Sequence, residues 1–151
     1  MRVRIYFFGK KTEITDAEQE HLRRINFRCK CELIPLPQAG LTDGVKAKKL
    51  EADKFLSKIQ TGDYLIAWDE RGKSMDSHRF ATYLETQLHD RREIVMVIGG
   101  AYGLDESMRD RADMQIRASD MIWTRNLFRL MCLEQTYRAM EIQGGGNFHK
   151  E

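Results

Sequence analysis

The chain has 151 residues, of which 42% are hydrophobic and 32% are charged, and its formal net charge is +2. This composition excludes disordered and fibrous proteins and is typical of one soluble domain with one sizeable core. The apolar runs are too short to span a bilayer, and the first residues lack the small-residue cleavage site of a signal peptide. We therefore expect a cytoplasmic protein, and the small net charge does not by itself predict a nucleic-acid partner.

The first half of the chain alternates strand-like and helix-like segments. Residues 2–8, "RVRIYFF", are rich in β-branched and aromatic side chains and predict a strand. Thr15, with Glu18 three residues later, predicts a capping box at the start of a helix. The alternating pattern of 29–36 predicts a half-exposed strand, and the near-helical spacing of apolar residues in 45–59 predicts an amphipathic helix.

The second half continues the alternation. Residues 63–69 and 93–100 are continuous apolar runs, which predict buried strands. Residues 76–90 carry apolar side chains on one helical face. The last elements predicted in chain order are a short helix at 105–113, a short strand at 114–119, a long helix at 127–142 and a glycine-rich tail.

The three cysteines are Cys29, Cys31 and Cys132. The pair in "CKC" lacks the second pair of ligands that a zinc site needs. We expect buried, reduced thiols and no metal site.

Continuous apolar strands separated by helices predict a single α/β domain with a mainly parallel sheet covered on both faces. In such sheets, ligands bind beyond the carboxyl ends of the strands. Three loops follow strands in the sequence: "WDERGKS" (68–74), "GGAYGL" (99–104) and "ASDMIWTRN" (118–126). We expect the functional site where these loops meet.

The middle loop contains Gly99, Gly100 and Gly103. It lacks the Lys and the Ser or Thr of a phosphate loop, and it lacks the three-glycine spacing of a dinucleotide fingerprint. A tight turn accounts for the glycines structurally, whereas the close approach of a ligand to the backbone would account for them functionally.

A wider pattern surrounds this loop. "YLIAWDERGKSMDS" precedes "VIGGAYGL", and "LFRLMCLEQTYRAMEIQGG" and "NFHKE" follow it. In this order, and over essentially the whole chain, the sequence closely resembles the small SPOUT, or α/β-knot, methyltransferases that methylate N3 of a pseudouridine in 23S ribosomal RNA. The resemblance implies one SPOUT domain over 1–151 with a trefoil knot and a flexible functional tail at 143–151. It also implies S-adenosylmethionine as cofactor, and a homodimer that acts on ribosomal RNA, with the assembled ribosome as the expected substrate.

The resemblance places the cofactor in the three loops. Loop backbone can bind the adenine edge while apolar side chains cover its faces. The residues implied at the cofactor are Trp68, Gly99, Gly100, Gly103, Ala118, Ser119, Asp120, Met121, Ile122 and Trp123. For the two tryptophans, a place in the core is the alternative account.

The resemblance also implies roles for polar residues near the carboxyl end. The sulfonium already carries the methyl group, so the protein has to align the acceptor, the methyl group and the sulfur, and the acceptor nitrogen has to lose a proton. His149 and Lys150 in the tail are the predicted catalytic residues and are also predicted to position the substrate, while the general base stays unassigned. Arg125 and Arg129 are predicted substrate contacts, with a solvated or ion-paired helix face as the alternative. Glu134 is a further candidate for a role in the chemistry. The alternative is that it only forms an ion pair with Arg138, four residues later on the same helix.

Two alternatives remain at this point. Thr124 and Arg125 stand where close relatives commonly carry a Pro-His or Ser-His pair, which leaves open a non-catalytic knotted module that binds RNA or a nucleotide. A different small α/β nucleotide-binding enzyme is the other reading. The homodimer has its own support in the sequence, because apolar residues from Leu127 to Ile142 are spread around more than one face of the last helix.

Overall fold

The computed structural model describes residues 1–150, in which parallel strands form a single sheet between two layers of helices. The strands are Arg2–Phe8 (β1), Lys30–Leu36 (β2), Leu65–Ser74 (β3), Glu93–Ile98 (β4) and Met114–Arg117 (β5). The helices are Asp16–Asn26 (α1), Gly44–Leu56 (α2), Ser77–Arg91 (α3), Glu106–Arg111 (α4) and Arg125–Gln143 (α5). The predicted elements are therefore confirmed, with ends shifted by a few residues.

The strand order is β2-β1-β4-β3-β5, and every neighbouring pair is parallel. Side chains along β1 alternate between the two faces of the sheet. Val3 and Ile5 belong to a core cluster with side chains of α1, α3 and α5, whereas Tyr6 and Phe8 pack with side chains of α2 and α4. Helices cover both faces, as the apolar runs predict.

Local sequence signals set the starts of the helices. The Thr15 hydroxyl accepts from the Glu18 backbone, and the Glu18 carboxylate accepts from the Thr15 backbone, so the predicted capping box is present. Aspartates accept from first-turn backbone N–H groups at the starts of α2, α3 and α4. A helix whose first N–H groups are satisfied in this way has a defined starting point.

One predicted loop is part of a strand. β3 continues beyond the apolar run to Ser74, and both Trp68 and Lys73 align with Ile116 of β5. The residues between them bulge out of the sheet. Most residues of 68–74 are polar, and polar residues after an apolar run predict a loop. The prediction was wrong because they pair with β5, a strand about forty residues later in the chain.

The cysteine prediction is confirmed in that all three thiols are free and buried. Burial raises the pKa of Cys31 to about 12, and it also raises the pKa values of Cys29 and Cys132. Within residues 1–150, no cluster of three or more His, Cys, Asp or Glu side chains is placed to hold a metal ion. No helix in the same range has the length and apolar content needed to cross a membrane.

Candidate functional site

A cavity of about 370 Å³ opens beside the bulged part of β3 and the loops that follow β4 and β5. All three predicted loops contribute to it. Every predicted cofactor residue lines this cavity except Asp120, whose exposed carboxylate pairs with Arg117 at 2.9 Å. Apart from Asp120, the structure therefore brings together the residues that the resemblance implies at the cofactor.

The glycine loop is compact because its own backbone folds back on itself. The Gly103 N–H donates to the Gly100 carbonyl at 3.0 Å, and Gly103 has a φ of +82°. A Cβ on Gly99 would lie 2.8 Å from the carbonyl carbon of Gly103, closer than side chains approach backbone. The loop itself therefore excludes a side chain at Gly99, which supports the tight turn as the structural account of this glycine.

Trp68 lies at the base of the cavity and is also part of the core. It is 5% exposed and packs on the rings of Phe80 and Phe128 at centroid distances of 5.5 and 5.9 Å. Its indole Nε1 is buried, and no acceptor for it lies within the described residues. Buried indole N–H groups usually have a partner, so this atom marks a place for an acceptor on a ligand.

The last loop forms the opposite rim and is far more exposed. Met121 is 78% and Ile122 89% exposed, and Trp123 is also exposed. Within this loop, the Met121 N–H donates to the Ser119 hydroxyl at 3.0 Å, a contact that is local to the loop. Three apolar side chains in succession therefore stand in solvent beside the cavity.

The two predicted arginines occupy different environments. Arg125 lines the cavity, donates to the Phe8 carbonyl at 3.1 Å and lies 3.6 Å from the Glu13 carboxylate. Arg129 is 1% exposed, donates to Glu18 at 3.0 Å and stacks over the Phe7 ring. The structure favours the ion-paired alternative for Arg129, whose guanidinium is enclosed by its partners.

The predicted tail residues lie away from the cavity. His149 contacts the His78 ring at 4.7 Å and the Arg138 guanidinium at 3.0 Å, while Lys150 is exposed. Neither residue lines the cavity of the described chain. Because a helix rises about 1.5 Å per residue, Arg138 lies about 20 Å along α5 from Arg125. Within one chain, the tail and the cavity are therefore separate.

Glu134 pairs with Arg138, one turn further along α5. This ion pair is the structural alternative that the sequence allowed for Glu134. The carboxylate also accepts from the Gln135 amide at 2.8 Å, so it is already engaged by its own helix.

Helix α2 brings polar groups that sequence reasoning missed. Lys48 lines the cavity, and the buried Glu51 accepts from the Ala39 N–H at 3.3 Å. The Glu51 oxygens lie 2.8 and 3.1 Å from where a Cβ on Gly100 would be. Burial raises the pKa of Glu51, and the nearby Arg125 charge partly opposes that rise. No local signal in the sequence indicates that α2 would pack beside the glycine loop.

Tyr102 was missed for a different reason. It stands inside the glycine loop and lines the cavity, whereas the prediction for this loop used its glycines alone. An aromatic residue among glycines at the end of a buried strand is the signal that would have singled it out.

The chain is similar to known methyltransferases. Residues 1–149 match a family model described as "Predicted SPOUT methyltransferase". The chain is 33% identical over 151 residues to the protein named "Ribosomal RNA large subunit methyltransferase H" in Pseudothermotoga lettingae, covering 99% of each chain. It is 40% identical over 116 residues to the protein of that name in Allorhizobium ampelinum, covering 76% of this chain and 72% of the relative.

A solved structure supports the fold. The tRNA (m1G37) methyltransferase of Aquifex aeolicus superposes with a TM-score of 0.50 at 15% identity, over 91% of this chain and 70% of the other. This likeness concerns the arrangement of the chain. Taken with the family match over nearly every residue, it shows that the chain belongs to the SPOUT methyltransferase family.

Proposed function

We propose that this protein transfers a methyl group from S-adenosylmethionine to N3 of a pseudouridine in 23S ribosomal RNA. The observation that carries the proposal is the cavity formed by the three loops, in a member of a methyltransferase family. Full-length relatives named as ribosomal RNA large subunit methyltransferases support the class of substrate. The pseudouridine and its N3 atom come from the sequence resemblance, and so does the trefoil knot.

The cavity fits the proposed cofactor. S-adenosylmethionine would supply a methyl group on a sulfonium, and its adenine needs apolar cover and backbone partners. Trp68 and Phe128 provide apolar walls, the glycine loop provides backbone groups, and the buried indole N–H of Trp68 needs an acceptor. The residues of this chain would thus bind the cofactor and orient its methyl group toward the open side of the cavity.

The protein's remaining task is to position the acceptor nitrogen and stabilise its charge after it loses a proton. His149 and Lys150 carry an imidazole and an ammonium group suited to that task, and Arg125 presents a guanidinium at the cavity. Lys150 is free to contact phosphate, and the ring of His149 can contact a base.

A homodimer would join the tail of one chain to the cavity of the other. In a single chain His149 is held beside Arg138, about 20 Å along α5 from the cavity. Exposed apolar side chains lie at the cavity end of this distance, notably Ile122, which lines the cavity, and Leu127 near the start of α5, which is 58% exposed. A two-fold contact through this surface would bury them and place a partner's tail near each cavity.

The test is methyl transfer to ribosomes and to free 23S ribosomal RNA from cells that lack the enzyme. We expect transfer of radiolabelled methyl from S-adenosylmethionine, and mass spectrometry should identify a single N3-methylated pseudouridine. Transfer to ribosomes but not to free RNA would support the assembled particle as substrate, and with it a cytoplasmic location. Binding of the RNA without any transfer would replace this proposal with the non-catalytic binding module.

A further inference from the structure

The side chain of Tyr102 stands at the rim of the cavity, opposite the exposed last loop. It is 49% exposed and lines the cavity, although it belongs to the glycine loop. Neither core cluster includes it. An aromatic ring that lines a functional cavity while half its surface stays in water is available to a ligand.

The ring is held in place by the start of α2. A Cβ on Gly44, the first residue of that helix, would lie 2.9 Å from the Tyr102 Cδ1 atom, so only glycine allows this approach. The Tyr102 hydroxyl donates to the Thr42 carbonyl at 3.4 Å. The tyrosine is therefore oriented before any ligand arrives, which lowers the entropic cost of using it as a contact.

One cation stands beside the ring. Lys48 lines the same cavity, one helical turn after Gly44. Within residues 1–150, Lys48 makes no ion pair, whereas Lys49 pairs with Asp53 at 3.2 Å. Hydrogen bonds from Ser107 lower the pKa of Asp105, and the charges of Lys49 and Lys48 lower it further, so their positive field extends to that carboxylate.

We propose that Tyr102 and Lys48 form a subsite for an unpaired nucleotide next to the methylated one, with the ring stacking on its base and the ammonium group contacting its phosphate. A fixed aromatic ring beside an unpaired cation is the arrangement that proteins use for single-stranded RNA. This inference rests on the proposed function, because it gives the RNA a second contact at the same cavity.

The test compares Tyr102→Ala with Tyr102→Phe in steady-state methylation of ribosomes that lack the modification. Loss of one stacked base weakens binding by about tenfold or more, so Tyr102→Ala should raise the KM for ribosomes about tenfold. Tyr102→Phe keeps the ring and should stay within about twofold of the wild type. Phe27→Ala removes an aromatic ring that is 77% exposed at the far end of α1, and it should leave the KM unchanged.

Lys48→Gln tests the charged half of the subsite. Each lost phosphate contact lowers the slope of log Kd against log salt concentration by about 0.7 for single strands. We expect a shallower salt dependence of ribosome binding in Lys48→Gln and an unchanged slope in Tyr102→Ala. Equal slopes in wild type and Lys48→Gln would remove the phosphate contact from the proposal.

Further measurements separate this inference from its competitors. The affinity of Tyr102→Ala for S-adenosylmethionine should stay within about twofold of the wild type, and light scattering should give an unchanged mass. A tenfold loss of cofactor affinity would mean that the ring covers the cofactor, and a change of mass would mean that it faces another protein chain; either result overturns the inference, as does an unchanged KM. If the wild type binds ribosomes without methylating them, the proposed function fails, and the Kd for ribosomes in Tyr102→Ala decides about the subsite alone.

Discussion

The two rims of the cavity are built in opposite ways. The glycine loop is closed by its own backbone hydrogen bond, and its single aromatic side chain rests on α2. The opposite side of the cavity, formed by residues 118–123 of the last loop, leaves most of the Met121 and Ile122 side chains in solvent. The difference indicates that one rim is completed by the chain's own fold, whereas the other has apolar surface left for a second molecule.

The contrast follows from where each loop's contacts come from. The glycine loop follows β4, whose two neighbours β1 and β3 fix it in the middle of the sheet. The last loop follows β5, a four-residue strand at the edge of the sheet that pairs only with β3. A loop at an edge has fewer neighbours in its own chain, so its order depends more on what binds to it.

The largest effect is expected from Gly99→Val, which should disrupt the glycine loop. The new side chain would meet the Gly103 backbone, so the loop itself has to distort, and some loss of thermal stability should accompany the loss of the site. Calorimetry should show S-adenosylmethionine binding weakened on the order of a hundredfold, the effect of about 3 kcal/mol of strain. Gly62→Ala, at a site with open space around it, is the matched control. Wild-type affinity in folded Gly99→Val would contradict the proposed cofactor site.

Deletion of residues 147–151 should slow methyl transfer and leave the glycine loop intact. Methylation of ribosomes should fall by about 10² or more, the usual contribution of groups that manage proton transfer. Cofactor affinity and dimer mass should stay close to wild type. Lys150→Ala should weaken RNA binding more than cofactor binding. Full activity in the truncated protein would show that the tail has no role at the site.

Ile122→Asp tests whether the exposed rim belongs to a dimer. A carboxylate buried in an apolar contact is costly, so the variant should shift toward monomer at micromolar concentration by light scattering. Its methylation rate should fall at least about tenfold, because the tail would no longer reach the partner's cavity. A change at a residue in the centre of an interface commonly weakens binding by that much. Phe27→Asp, at another exposed apolar side chain, should change neither property. A monomeric wild type at this concentration would itself exclude the dimer.

The smallest expected effect concerns Glu51, which lies behind the glycine loop. Burial raises its pKa, so the folded chain binds this proton more tightly than the unfolded chain does. The corresponding stability is fully present below the unfolded pKa of about 4 and is lost as the pH rises through the folded value. Glu51→Gln removes this titration. Its melting temperature should therefore rise relative to the wild type between about pH 4 and pH 8. A constant difference across that range would show that Glu51 does not titrate as described.

Much of this fold could be predicted from the sequence because the decisive signals are local. Apolar runs indicated the strands, and the Thr15 to Glu18 spacing indicated the start of α1. The bulge in β3 could not be predicted, since polar residues there pair with β5 far along the chain. Only tertiary packing decides which polar residues of one segment join a distant strand.

The site was predicted less evenly. The three segments were singled out because each follows an apolar run, and residues of all three line one cavity, although the first of them belongs to the bulged part of β3. Arg125 and Arg129 looked equivalent in the sequence, yet one full turn of α5 separates a guanidinium at the cavity from one enclosed with Glu18. The places of Lys48 and Glu51 at the site could not be predicted, because they depend on where α2 packs. The sequence of α2 alone does not indicate that packing.

The strand order also affects how the chain emerges during synthesis. β1 is made first but lies in the interior of the sheet, where Arg2 pairs with Glu93 of β4. The Phe7 ring on β1 is covered by Arg129, a residue of the last helix. The other neighbour of β1, β2, is made early, but β4 and α5 are made late, so one edge and one face of β1 stay uncovered while most of the polypeptide is translated. Such long-range pairing is slow. The nascent protein should therefore depend on chaperones more than its modest size suggests.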